Sequence, residues 1–240
     1  MKALILAAGE AKRLKPITEN LPKCMIRVGE KRIIDYQIEN LLQTNIKDIV
    51  VVTGFLAEKL EDHLSKTHPN ARFTFIRSDD YYKTYPAHGM WLAKEHLQGE
   101  VIYLNADVIC HPDIIKNIVD SEHESVTALH KNDWDEEQVN IITKSDSGQI
   151  ESMGKVITAE QSSGEFVGVT KLGASFNQKL VQVLDDFITK EELKKFAADA
   201  INVSIQKKQA MHALDLTHLP AIEIDTPDDL VEAEVKITHF

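Results

Sequence analysis

The chain has 240 residues, 43% of them hydrophobic, and 27 basic against 38 acidic residues give a formal net charge of −11. That length holds one large α/β domain or a domain with a small lid, and the negative field excludes nucleic acid and anionic membranes as general partners unless basic residues cluster locally. The two cysteines, Cys24 and Cys110, form no CxxC or Cys/His metal spacing, the apolar run before Gly9 is too short for a signal core, and none approaches the ~20 residues that span a bilayer, so the expected location is the cytosol.

Ala3-Leu4-Ile5-Leu6 reads as a first strand that closes on Ala7-Ala8-Gly9. Ile33, Ile34, Ile38, Leu41 and Leu42 fall at helical spacing. Ile49-Val50-Val51-Val52 is a continuous β-branched run, as in a parallel strand buried on both faces. Residues 56–64 read as a helix, 73–76 as a strand, 90–97 as a helix, and Val101-Ile102-Tyr103-Leu104 as a fourth strand running into Asn105-Ala106-Asp107. This alternation predicts βαβ units with right-handed crossovers. Further on, 125–130 and 139–143 read as strands, and Ser145-Asp146-Ser147-Gly148 as a hairpin turn. Residues 160–164 form a loop, while 175–188 and 191–207 read as amphipathic helices. Ala221 to Ile224 is a short strand, after which Thr226 and Pro227 supply the N-cap and first position of a last helix. The expected fold class is α/β, a mixed, mostly parallel sheet with helices on both faces, in a single domain over residues 1–240. Ligands in such sheets bind beyond the carboxyl ends of the strands, which directs attention to 7–16, 53–56, 77–89 and 105–111.

The first of these segments has phosphate-binding chemistry. Small residues let the chain from Leu6 through Ala7, Ala8, Gly9, Glu10 and Ala11 turn sharply and approach a ligand, and backbone N–H groups in such a turn can cradle phosphates. Arg13 adds a forked cation, and Lys23 after Pro22 a second one. The pattern is neither GxxxxGK[ST] nor GxGxxG, which excludes an ordinary ATPase loop and the dinucleotide fingerprint. On local grounds alone, a plain small-residue turn with two surface cations is an equal alternative.

Leu6-Ala7-Ala8-Gly9 with Arg13-Leu14, followed by Pro22-Lys23, resembles the signature of the sugar-1-phosphate nucleotidyltransferase superfamily. Within it, the chain is most similar to the bacterial cytidylyltransferases of phosphocholine and related small phospho- or phosphono-compounds, along nearly its whole length. The resemblance implies a Rossmann-like nucleotidyltransferase fold and an Mg²⁺-dependent reaction. A nucleoside monophosphate, CMP from CTP in that branch, passes to a small phosphorylated or phosphonate acceptor such as phosphocholine or an amino-alcohol phosphate, and pyrophosphate leaves. It implies a nucleotide site at Leu6, Ala7, Ala8, Gly9, Glu10 and Ala11, with Arg13 on the β- and γ-phosphates and Lys23 at the α-phosphate. The implied catalytic group is Arg13, Lys23 and Asp107. One departure is Ala11, where the family usually has glycine; a methyl group there is a small perturbation where φ is negative.

The resemblance also implies that Asp107, at the end of the fourth strand, and Asp225, between the last strand and helix, hold Mg²⁺, which takes one or two carboxylates with phosphate oxygens and water. Capping the last helix is the competing role for Asp225, and Glu223 is expected on the opposite side of its strand. On the acceptor side, Glu165 and Lys171 bracket a segment resembling the family's acceptor strand, the acid for an amine or hydroxyl and the lysine for the acceptor phosphate. His88 can donate to a phosphate from the aromatic-rich segment 78–91, and Gly89 permits close approach. Trp134, in Asp133-Trp134-Asp135-Glu136-Glu137, suits an ammonium group by cation–π attraction and charge. The ten histidines show no HxxxH or HxH pattern and are expected mostly at the surface. Implied partners are an NTP and the acceptor, without nucleic acid or membrane; a homodimer is compatible with this reading. The rival readings are a sugar-1-phosphate uridylyl-, thymidylyl- or guanylyltransferase and a non-catalytic nucleotide-binding regulatory domain. The second would be marked by loss of the cation pair or the metal carboxylates, and Arg13, Lys23 and Asp107 are all present.

Overall fold

The computed structural model describes residues 1–132 and 134–239. Its first strand, β1 (Lys2–Ala7), alternates between two apolar layers, with Ala3, Ile5 and Ala7 facing one and Leu4 the other. The chain continues through β2 (Arg27–Val28), β3 (Lys31–Arg32), α1 (Ile33–Gln43), β4 (Asp48–Thr53), α2 (Ala57–Thr67), β5 (Arg72–Arg77), α3 (Pro86–Leu92), β6 (Val101–Asn105), β7 (Val108–Cys110) and α4 (Pro112–Asp120). Then follow β8 (Val126–His130), β9 (Asn140–Thr143), β10 (Ile150–Gly154), β11 (Gly164–Leu172), α5 (Ala174–Thr189), α6 (Ala197–Gln206), β12 (His212–Asp215), β13 (Ala221–Glu223) and α7 (Pro227–Lys236).

Nine strands form one sheet in the order β10-β9-β11-β6-β1-β4-β5, with β8 and β12 joined through β11. Strands β6, β1, β4 and β5 are parallel. Strand β11 runs antiparallel to β6, β8 and β9. The mixed α/β sheet expected from the sequence is therefore present, with helices on both faces. Helices α1, α2 and α4 cover one face through Ile38, Leu60 and Ile115, and α3, α5 and α6 cover the other through Met90, Leu180 and Ile201. Parallel strands buried on both sides account for the unbroken apolar runs. A third cluster joins the two ends of the chain: Leu14, Ile26 and Val28 pack with Ile224 and Ala233.

Several elements depart from the sequence reading. The helix expected over 191–207 begins only at Ala197. Before it, the carbonyls of Leu193 and Lys195 accept N–H bonds from Tyr85 and Ala87, so this stretch is spent tying down the start of α3. Helix α3, expected over 90–97, instead spans Pro86–Leu92 and starts at Pro86, where proline's missing N–H costs nothing at the first helical position. Helix α4 and strand β12 were not anticipated; β12 pairs parallel to β8 and is only half-buried, so it lacks a strong apolar signature.

The turn after β1 rests on the turn after β4. The Phe55 N–H donates to the Ala8 carbonyl at 3.0 Å, and a Cβ added at Gly54 would lie 2.7 Å from that oxygen and 2.9 Å from the Ala8 Cβ. Overpacking of this kind costs about 1–3 kcal/mol. Gly54→Ala is thus expected to lower the unfolding free energy by that amount, read in equilibrium urea unfolding as a lower midpoint with an unchanged m-value.

Candidate active site

The loop after β1 builds one wall of a cleft. Nothing stands within 4 Å of where a Gly9 side chain would begin, so a ligand can approach the backbone there. Ala11 has φ 51° and ψ 58°, so the condition under which its methyl group is a small perturbation, a negative φ, is not met: alanine occupies the left-handed conformation for which glycine is suited. Its carbonyl accepts from the Leu14 N–H and, at 2.9 Å, from the Thr18 hydroxyl, and these two bonds hold the turn against its strain. A short 3₁₀ turn, Lys12–Leu14, buries Leu14 and leaves Arg13 half-exposed toward the cleft. A second, Lys23–Met25, buries Cys24 and Met25 and turns Lys23 toward the same space.

Asp107 lies in the turn between β6 and β7. The Gln37 side-chain amide of α1 donates to the carbonyls of Asn105 and Val108, both at 2.7 Å, and clamps the turn from behind. Strand β13 pairs antiparallel with β7, and the Ile224 N–H extends that ladder to the Asp107 carbonyl. Asp225 is thereby delivered beside Asp107. Helix α7 is capped without it: the Thr226 hydroxyl accepts from the Asp229 N–H, and the Asp229 carboxylate accepts from the N–H groups of Asp225 and Thr226 at 2.8 and 2.7 Å. The side chain of Asp225 remains available to the cleft.

Lys23 joins the two acids. Its Nζ donates to Asp107 Oδ2 at 2.7 Å and to Asp225 Oδ1, while Arg13 donates to Asp225 Oδ2 at 2.6 Å. Burial alone would lower the pKa of Lys23, but Asp107 and Asp225 outweigh it and raise the value, so the ammonium stays charged. Burial likewise opposes ionisation of Asp225, and Lys23 and Arg13 reverse this and lower its pKa. Asp107 Oδ1 is buried without a hydrogen-bond partner among the described residues. Carboxylate oxygens of Asp107, Glu223 and Asp225 lie within 4.8 Å of one another. An unpartnered buried oxygen among three converging carboxylates fits a hard divalent cation. Glu223 is a correction to the sequence reading: residues two apart share a face of an extended strand, so Glu223 sits on the side of Asp225 while Ile224 points into the core. The side chain of Glu223 reaches solvent at the cleft mouth, yet protein atoms surround its carboxyl. That crowding first, and the charges of Asp107 and Asp225 second, push its pKa up.

Three connected spaces meet at this cluster. One of about 380 Å³ is bounded by Gly9, Ala11, Arg13, Lys23, Asp107 and Asp225. A second, about 310 Å³, extends past Asp107 and Glu223 to Lys155, Phe166 and Phe196. A third, about 330 Å³, opens outward among Asp135, Glu137, Glu165 and Glu223 and is strongly acidic. Beside the first loop, a small hollow of about 70 Å³ lies between Gly9, Tyr81, Pro86 and Gly89.

The structure brings Arg13, Lys23, Asp107, Asp225 and Glu165 to this cleft and leaves others outside it. Glu165 accepts from Asn132 at 2.9 Å, and its pKa is raised chiefly by burial. Lys171 is elsewhere: it is 3% exposed, and its ammonium donates to the Val119 and Ser121 carbonyls at the end of α4. Because β11 runs antiparallel to β6, its carboxyl end lies at the amino edge of β6, opposite Asp107. His88 does not line the cleft; its ring packs on Trp91 and its charged neighbours are Asp80 and Lys83, while Pro86 and Gly89 are the α3 residues that face the ligand space. Trp134 spends its indole N–H on the Ile157 carbonyl at 3.0 Å and bounds none of these spaces, and Asp133 lies outside the described residues. Lys155 was missed. It stands just past β10, 3.4 Å from Glu137 and 5.5 Å from the centre of the Phe196 ring, and the one local signal was the preceding glycine.

A family model described as nucleotidyl transferase matches residues 2–219. The chain belongs to this family. It is a nucleotidyltransferase, an enzyme that uses an NTP. Among curated relatives, it is 30% identical over 196 residues to a CTP:phosphoglutamine cytidylyltransferase of Campylobacter jejuni, covering 75% of this chain and 76% of that one. It is 27% identical to a choline-phosphate cytidylyltransferase of Streptococcus pneumoniae over 98% of this chain and 97% of the relative. The fold matches solved structures of the Streptococcus pneumoniae CTP:phosphocholine cytidylyltransferase (TM-score 0.79, 24% identity, 98% of each chain) and the T. maritima inositol-1-phosphate CTP transferase (TM-score 0.83, 18% identity, 99% of this chain and 96% of that one). Among the described residues no helix is long and apolar enough to cross a membrane.

The left-handed alanine yields a test of the loop. Relief of the Cβ clash in Ala11→Gly is worth roughly 1–2 kcal/mol, and the looser unfolded chain takes back about 0.4–1 kcal/mol. Equilibrium unfolding is therefore expected to show Ala11→Gly as stable as the parent or up to about 1.6 kcal/mol more so, whereas Ala11→Val, β-branched in the same conformation, is less stable.

Proposed function

We propose that this nucleotidyltransferase transfers CMP from CTP to a small phosphorylated acceptor bearing an amino or ammonium group, and releases pyrophosphate. The observation that carries the reading is Lys23 bridging Asp107 and Asp225 beside the open turn at Gly9. One mobile cation, two carboxylates and free backbone are the parts that nucleotidyl transfer requires. The relatives act on CTP with phosphoglutamine and with choline-phosphate, as their names state. The small hollow between Gly9 and Pro86 suits a single-ring base, and the acidic mouth around Glu137 and Glu165 suits a positively charged end of the acceptor.

In this reading, the acceptor phosphate oxygen attacks the α-phosphorus in line. A new P–O bond forms, the bond to the bridging oxygen of the β-phosphate breaks, and pyrophosphate carries that electron pair away. The nucleophile is already an anion, so no side chain serves as base. Asp107 and Asp225, with Glu223 alongside, would hold Mg²⁺, which would supply neutralisation of the triphosphate charge. Lys23 would serve the α-phosphate and Arg13 the β- and γ-phosphates. Lys155, on the far side of Asp107, faces the space where an acceptor phosphate would sit. We place the reaction in the cytosol, where nucleoside triphosphates are made.

The experiment is pyrophosphate release with each of the four NTPs against a panel of phosphorylated amino-alcohols, amino-acid derivatives and sugar-1-phosphates. CTP with an amine-bearing acceptor is expected to give the highest kcat/KM; a preference for UTP, dTTP or GTP with a sugar-1-phosphate sinks the proposal. Lys23→Ala should lower kcat by about 10²–10³ when assayed well below its thermal midpoint, and that midpoint should itself fall because Asp107 and Asp225 lose their shared cation. Lys155→Ala should raise the KM of the acceptor well beyond that of the nucleotide. Chelation with EDTA should abolish turnover and added Mg²⁺ restore it.

A further inference from the structure

Away from the cleft, two histidines converge on one buried acid between α1 and α2. Asp35 Oδ1 lies 2.7 Å from His63 Nε2 and 2.9 Å from His68 Nε2. Asp35 and His68 are 6% and 7% exposed, and His63 reaches the surface. His63 projects from the last turns of α2; His68 caps that helix with φ −119°, and this break from helical geometry brings its ring back to the same point. A His-x₄-His spacing carries no helical-face signal, so the pair was not legible in the sequence.

The arrangement is short of positive charge. No lysine or arginine forms an ion pair with Asp35 among the described residues. Its other oxygen accepts only the Arg32 backbone N–H, at 3.3 Å. The three ligand atoms lie within 4.8 Å of one another.

We propose that Asp35, His63 and His68 form a second metal site, selective for a borderline transition ion such as Zn²⁺. Two imidazole nitrogens and one carboxylate oxygen are a donor set for zinc, whereas the all-carboxylate cleft suits Mg²⁺. Bonds of about 2.0 Å in a tetrahedron place neighbouring donors about 3.3 Å apart. The rings must therefore swing back by roughly half an ångström, and water completes the coordination from the exposed side of His63. Binding needs no net proton loss: each ring moves its proton from Nε2 to Nδ1, and for His63 the Thr67 hydroxyl stands 3.3 Å from Nδ1 to receive it. The ion would pin the start of α1 to the end of α2. Helix α1 is also the one whose Gln37 clamps the Asp107 turn.

The test strips the full-length protein with EDTA and dialyses it against Zn²⁺ in excess Mg²⁺, with Asp107→Asn included to disable the cleft. Wild type and Asp107→Asn are each expected to retain one Zn²⁺ per chain, and His63→Ala none. With Zn²⁺ about 100-fold above its Kd, the wild-type thermal midpoint should rise by about 5–10 °C, and that of His63→Ala should not move. In a parallel experiment independent of any variant, Co²⁺ added to wild type should give the intense visible bands of a tetrahedral, nitrogen-ligated ion. The proposal is overturned if wild type keeps no Zn²⁺, if His63→Ala keeps as much as wild type, or if Co²⁺ shows only the weak bands of an all-oxygen octahedral site.

Discussion

Everything at the cleft depends on one ion cluster, in which Lys23 is shared by carboxylates 84 and 202 residues further along the chain. Three acids within 4.8 Å repel one another in a partly buried site; the raised pKa of Glu223 relieves part of this, and a cation shared by Asp107 and Asp225 relieves the rest. Before any ligand arrives, the cation is the protein's own lysine, assisted by Arg13. The same cluster is therefore a stable resting state and a charged one. In the proposed reaction, a divalent cation held by these carboxylates would take over the neutralisation that Lys23 and Arg13 provide, and the two basic side chains would then serve the phosphates.

The fold positions these groups with backbone rather than with long side chains. The β7–β13 ladder sets Glu223 and Asp225 against Asp107, and Gln37 fixes the turn behind them. The direction of β11 then decides which of its charges takes part. Its amino end carries Glu165 to the cleft, and its carboxyl end carries Lys171 to the far edge, where the ammonium satisfies carbonyls at the end of α4. Gly168, with φ 80°, lies where an added side chain would come within 3.1 Å of Asn105 and Val108, so the bulged strand can pass close over the turn leading to Asp107.

The parallel half of the sheet was legible because β1, β4 and β6 are apolar runs followed by a turn, and because the segments after β1, β5 and β6 line the cleft or its side hollow while the one after β4 supports the first loop. The glycine turn, Arg13, Lys23 and Asp107 could be picked out for the same reason: their chemistry is local to one strand end. What escaped was set by partners distant in sequence. Whether residue 171 or residue 155 faces the ligand space depends on strand direction and pairing, which no periodicity records. The helical stretch expected from Glu191 was lost to the backbone of α3, a partner about 100 residues away, and the Asp35, His63 and His68 cluster needs two helices to cross before its spacing means anything. At Ala11 the departure from glycine was visible, and its conformation was not.

The third apolar cluster has a consequence for how the molecule is made. Residues around Leu14, Ile26 and Val28 find their packing partners in Ile224 and Ala233. A chain emerging from the ribosome can assemble the parallel strands early, yet its amino-terminal loop stays without its cover, and Lys23 without its second acid, until residues 224–233 have followed. A growing chain halted before that point has a sheet but no assembled cleft.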